Sequence, residues 1–115
     1  MIIPIDQFSR AWREQTGSML HELGFPAHRI GYKQLCIAIP RYAQDNTQSI
    51  IKELYPYIAV IFGYTGWCAV EHAMRCAIHD AWFNCDPDIW EEYFPNSRRP
   101  PSNKLFIATL AERLQ

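Results

Sequence analysis

Residues 48–84 read QSIIKELYPYIAVIFGYTGWCAVEHAMRCAIHDAWFN. Two apolar helical stretches flank the turn Gly63-Tyr64-Thr65-Gly66. In the first, Gln48 to Phe62, residues Ile50, Ile51, Leu54, Ile58, Ile61 and Phe62 recur at helical spacing, and Pro56 forces a kink or a restart. In the second, Trp67 to Asn84, the apolar stripe is Val70, Ala73, Met74, Ala77, Ile78 and Ala81, three and four residues apart. Glu71, His72, Arg75, Cys76 and His79 fall on the opposite side. The glycines allow the turn positive φ, and Thr65 is the expected cap of the helix that follows. A helix, a short glycine-bearing turn and a second helix with a polar outer face form the layout of a helix-turn-helix.

The flanking sequence is helical too. Asp6 to Leu23 reads as a first helix capped by Asp6, with Phe8, Trp12, Met19, Leu20 and Leu23 as a partial stripe. Gly17 is a point where it splits, and Gly24-Phe25-Pro26 ends it. Tyr32 to Ala43 reads as a second helix that Pro40 kinks or ends early. Asp45-Asn46-Thr47 is the next break, with Asn46 or Thr47 as cap. Beyond the quoted stretch, Asp86-Pro87 is a cap followed by a proline at the first helical position, and that helix ends near Phe94. Pro95 to Asn103 is an irregular loop around Arg98 and Arg99, and a last helix runs from Asn103 to Leu114. These segments predict an all-α fold, a compact bundle of about six short helices containing the helix-turn-helix.

The bulk numbers set limits. A chain of 115 residues, 49% hydrophobic and 20% charged, suits one globular domain spanning residues 1–115, with 1–17 as an extra N-terminal helix. The longest apolar run, Ile58 to Gly63, is too short to cross a bilayer, and the N-terminus has no signal-peptide pattern. Cys36, Cys68, Cys76 and Cys85 contain no C-x-x-C pair and read as free thiols of a reducing compartment, so a cytoplasmic location is expected. A net charge of −1 gives no general affinity for nucleic acid, so DNA binding requires the basic residues to group on one face.

Three chemistries compete for the outer face of Trp67–Asn84. Glu71 can accept from a cytosine amino group, and Arg75 can donate to guanine or phosphate. The same two residues also read as an ordinary i,i+4 surface ion pair. Cys68, His72, Cys76 and His79 carry metal-ligand side chains, but they spread over about 16 Å of helix at 1.5 Å per residue. A tetrahedral site would need His21, His28 or Cys85 as well, and no metal is expected. No nucleotide-binding glycine loop and no oxyanion pocket accompany the Cys76/His79 pair, so neither an enzyme nor a bound cofactor or small-molecule substrate is expected. Trp67 and Tyr64 flank the turn, as packing residues or as contacts to a sugar-phosphate backbone.

Several ordered motifs together resemble one family. Gly24-Phe25-Pro26-Ala27-His28, Gly31-Tyr32 with Leu35, Leu54-Tyr55-Pro56 with Ile58-Ala59, and Val70-Glu71, Ala73, Arg75, Ala77-Ile78 and Ala81-Trp82 carry the likeness, with Ser102-Asn103 and Phe106-Ile107-Ala108 at the end. The stretch from Ser18 to Leu114 is similar to the C-terminal DNA-binding effector domain of stage-zero sporulation protein A, a sporulation response regulator. That resemblance implies a six-helix transcription regulator of double-stranded DNA, bound in the major groove as a homodimer or as tandem copies. It implies DNA contacts by Glu71 and Arg75, and near a basic position of the family by Arg98 and Arg99. His72, His79, Trp67 and Lys104 complete the set of candidate DNA-binding residues. The family's recognition helix typically reads R-V-E-R-A-I-R-H, whereas this chain has Ala69-Val70-Glu71-His72-Ala73-Met74-Arg75-Cys76, so its usual DNA box is not the expected target. No phospho-accepting receiver domain precedes the motifs, and a free-standing paralogue is the expectation. The competing expectation is a protein-interaction module or antagonist with weakened DNA binding.

Overall fold

The computed structural model describes residues 5–114, with side chains from Arg10 onward. Six α-helices follow one another: α1 (Ile5–Glu22), α2 (Ile30–Gln44), α3 (Tyr55–Ile61), α4 (Cys68–Asn84), α5 (Pro87–Tyr93) and α6 (Asn103–Ala111). A single π-turn, Ile50–Leu54, leads directly into α3. The fold is therefore all-α, as the periodicity predicts.

Helix α2 is central, packing against α1, α4 and α6. That burial explains why Pro40 does not end it: the helix runs on to Gln44, and Pro40 itself is buried. A proline inside a helix costs about 3 kcal/mol. Packing on three sides, at about 1.5–3 kcal/mol per fully buried Leu or Ile side chain, outweighs that; Leu35 and Ile39 are two such residues. Gly17 does not split α1 either. The expected Asp6 cap and the core role of Phe8 fall on side chains outside the described residues.

Two helices end in the same way. After α1, the Phe25 N–H reaches the Leu20 carbonyl at 2.9 Å and the Gly24 N–H reaches that of His21 at 3.0 Å, with Gly24 at φ 93°. After α3, Tyr64 bonds to Ala59 at 2.8 Å and Gly63 to Val60 at 3.2 Å, with Gly63 at φ 75°. Both are Schellman caps, in which a left-handed residue lets two orphan carbonyls be satisfied. The first cap sends Phe25 into an aromatic cluster with Trp90, Phe94 and Phe106, which Trp82 meets edge-on to Trp90. Trp90 is 2% exposed, and its ring N–H donates to the Leu23 carbonyl at 3.1 Å, so α5 pins the end of α1.

Caps differ from expectation in two places. Ser49, not Asn46 or Thr47, caps the π-turn: its hydroxyl accepts from the Lys52 N–H while the Glu53 carboxylate accepts from its own N–H. Thr47 bonds Asp45 instead. Thr65 does not cap α4, which starts from Trp67 in a helical conformation without a side-chain cap. Pro56 does force the restart, lying in the first turn of α3, where a missing N–H costs nothing. Asp86 caps α5 by accepting from the Asp88 N–H, as its sequence predicts.

Candidate nucleic-acid interface

The Schellman cap at Gly63 reverses the chain after α3, and the residues up to Trp67 bring α4 back across it. Tyr55, at the start of α3, stacks on Trp67 with ring centroids 5.8 Å apart and planes at 19°. Val70, Met74, Ala77, Ile78 and Ala81 of α4 are buried, whereas His72, Arg75 and His79 are exposed and Glu71 is half-buried. Small residues let α4 lie close to α2: a Cβ on Gly31 would come within 2.6 Å of both the Ala73 carbonyl oxygen and the Ala77 Cβ. Helix α4 is therefore seated firmly, with its polar side outward.

A second segment approaches that side. The loop after α5 turns at Asn96, a non-glycine residue at φ 64°, whose N–H donates to the Glu91 carboxylate. The loop ends at Ser102, whose hydroxyl caps α6 by accepting from the Leu105 N–H at 3.1 Å. The next residue, Asn103, is buried, and its amide donates to the Tyr55 hydroxyl at 3.1 Å and to the Glu71 carbonyl at 3.0 Å. One side chain thus ties α6 and its leading loop to both helices of the helix-turn-helix. Burial, partly offset by the Asn103 bond, pushes the Tyr55 hydroxyl above its ordinary pKa, so it stays a neutral hydrogen-bonding group.

Between α4 and this loop runs an open groove of about 640 Å³. Its walls bring together Trp67, Glu71, Arg75 and His79 from the turn and α4, and Arg99 and Lys104 from the far side. Three cations, Arg75, Arg99 and Lys104, meet one carboxylate there. The remaining wall is largely apolar, including Ile50, Ile51, Pro100 and Pro101. Six of the eight candidate residues thus share one surface. Arg98 is exposed but does not line the groove, and His72 is turned toward Cys76 one helical step away. Tyr55 and Asn103 had no sequence signal as site residues, because nothing local reveals that α6 begins beside α4.

Arg75 is not idle. Its Nε donates to Glu71 at 3.0 Å and its Nη2 to the His72 ring at 3.2 Å. The hydrogen bond and charge of Glu71 hold the guanidinium still more firmly protonated. The pair is an exposed one, with Arg75 at 50% and Glu71 at 33% accessibility, and such pairs are weak. An incoming guanine or phosphate can therefore replace Glu71 as the guanidinium's partner at little cost. Among the described residues, no group of three or more His, Cys, Asp or Glu is placed to hold a metal ion, and no helix is long and apolar enough to cross a membrane.

A family model described as "Sporulation initiation factor Spo0A C terminal" matches residues 16–114. The chain belongs to that family. Spo0A C-terminal domains are DNA-binding effector domains of transcription regulation in sporulation, and not a family of enzymes. The match spans all of α2 to α6, including the helix-turn-helix and the groove beside it, while residues 5–15 of α1 lie before it.

Proposed function

We propose that this Spo0A-type domain is a sequence-specific, double-stranded-DNA-binding transcription regulator that lays α4 in the major groove. The observation that carries this reading is the grouping of Arg75, Arg99 and Lys104 around α4 in a chain whose net charge is −1. Clustering, not net charge, decides whether phosphates are neutralised. In this reading Glu71 and Arg75 face base edges, with His72 and His79 on the same helix. Trp67, Arg99, Lys104 and the neighbouring Arg98 contact the sugar-phosphate backbone on either side. Phosphate contacts fix register, and base contacts read sequence.

A second reading, a protein-interaction module derived from the same domain, is favoured by the apolar groove wall and by the engagement of Arg75 with Glu71. Fluorescence anisotropy on duplexes selected from a random pool separates the two. Selective binding is expected, weakening with salt, with roughly ten- to hundredfold loss of discrimination at one base pair in Arg75→Ala. Lys104→Ala should weaken all duplexes alike and lower the salt slope by about 1. Failure to bind any duplex at low salt, where phosphate attraction is strongest, would sink the DNA reading.

A further inference from the structure

His72 and Cys76 stand one helical turn apart on the outer side of α4, and they touch. The Cys76 sulfur lies 3.5 Å from His72 Nε2, while His72 Nδ1 lies 3.2 Å from Arg75 Nη2. A guanidinium has only donors to offer. The neutral imidazole must therefore accept at Nδ1 and carry its proton on Nε2, the nitrogen that faces the sulfur. A sulfur anion at this position would have an N–H donor in contact and a cation one hydrogen bond behind it. The thiolate is the reacting form of cysteine, and it reacts best in partly exposed, electropositive surroundings. Cys76 is half-buried. A zinc ion is disfavoured in the same place, because metallation of Nε2 requires a proton on Nδ1, where the guanidinium already donates.

We propose that Cys76 is a thiol-modification site whose co-reactant is a hydroperoxide, with His72 as the positioning residue. The thiol proton leaves to solvent and a sulfur lone pair attacks one peroxide oxygen. The S–O bond forms as the O–O bond breaks. Sulfur loses two electrons to give a sulfenic acid, and the departing alkoxide, or hydroxide where the peroxide is hydrogen peroxide, takes up a proton to leave as an alcohol or water. Cys68 is eight residues back, about 12 Å along the helix, too far to trap the product as an intrahelical disulfide. The sulfenic acid therefore stays on α4, where its added oxygen competes for the His72 ring that Arg75 also engages. Loss of DNA affinity on oxidation follows; this part alone rests on the proposed DNA binding.

The test compares cysteines within the intact protein. Labelling with iodoacetamide at neutral pH, read by peptide mass spectrometry, is expected to modify Cys76 about tenfold faster than the more exposed Cys68. His72→Ala is expected to bring Cys76 down to the Cys68 rate with the helical circular dichroism unchanged. Hydrogen peroxide followed by a dione trap should leave the adduct on Cys76. Equal rates in the wild type, an unchanged rate in His72→Ala, or trapping only at Cys68 would overturn the proposal. So would stoichiometric zinc in the purified protein that disappears in Cys76→Ser. Anisotropy titrations with and without peroxide give the second readout: wild type loses affinity, and Cys76→Ser keeps it. Selective labelling without any DNA binding would leave the modification site standing and remove the transcription-regulator reading instead.

Discussion

Replacing Gly31 by alanine would put a methyl group 2.6 Å from the Ala73 carbonyl oxygen, 2.6 Å from the Ala77 Cβ and 3.3 Å from the Ala73 carbonyl carbon. Carbon atoms pack favourably at about 3.5–4.0 Å, so α2 and α4 would have to part by roughly 1 Å. No rotamer change relieves this, because the obstacles are backbone and a Cβ. Overpacking of this sort costs about 1–3 kcal/mol. Alanine's advantage over glycine, about 1 kcal/mol in a helix interior, is smaller here because Gly31 is only the second residue of α2. The clash wins, with a net destabilisation of roughly 0.5–2.5 kcal/mol. In a domain of this size that corresponds to a drop of roughly 2–10 °C in melting temperature. Thermal and urea unfolding followed by circular dichroism provide the measurement. Ala77→Gly placed in the Gly31→Ala background should restore part of the loss, since it removes one of the two closest atoms. A melting temperature that is unchanged or higher in Gly31→Ala would refute the claim that this crossing is at its limit of approach.

Gln34 is fully buried, and neither its amide nitrogen nor its oxygen has a hydrogen-bond partner; Gln34→Met, of similar shape, is expected to stabilise by about 1–3 kcal/mol in urea titrations, and a loss of stability would show that the amide is satisfied in solution. The Tyr93 hydroxyl, desolvated and donating to Glu22, is pushed up to about 12. Its folded pKa lies above the ordinary 10.0, so the unfolded chain releases this proton first. The contribution is intact below about pH 10 and lost as pH rises towards 12. Tyr93→Phe should flatten the alkaline decline in stability over that window, and an unchanged decline would assign it to other tyrosines.

Much of this arrangement is legible in the sequence. The stripe from Val70 to Ala81 predicts α4, Gly24 and Gly63 mark the ends of α1 and α3, and Asp86-Pro87 gives the start of α5, because each depends on chemistry within a few residues. What sequence misses depends on distant packing. Pro40 and Gly17 are helix breakers locally, yet α2 and α1 continue through them. The cap of the π-turn falls on Ser49 because Thr47 is already held by Asp45, a competition between neighbours that residue preferences cannot rank. The candidate interface is half legible. Glu71, Arg75 and His79 follow from periodicity, whereas their nearness to Arg99 and Lys104 comes from the path of a loop without a repeat. Asn103, the link between the two, looks like an ordinary early-helix residue until its partners are known.

That link has a mechanical consequence. Asn103 joins the start of α6 to the Glu71 carbonyl within α4 and to Tyr55 of α3, which ties the end of the arginine-bearing loop to the helix that the proposed reading lays in the major groove. On that reading the two halves of the proposed DNA-binding surface are held at one spacing and do not adjust to each duplex. The duplex must do the adapting, through groove width and local bending, and sequences that deform easily are favoured at base pairs no side chain touches. On the proposed DNA-binding reading, with Arg75 the one arginine on α4, stiffness of the protein becomes a source of selectivity in its own right.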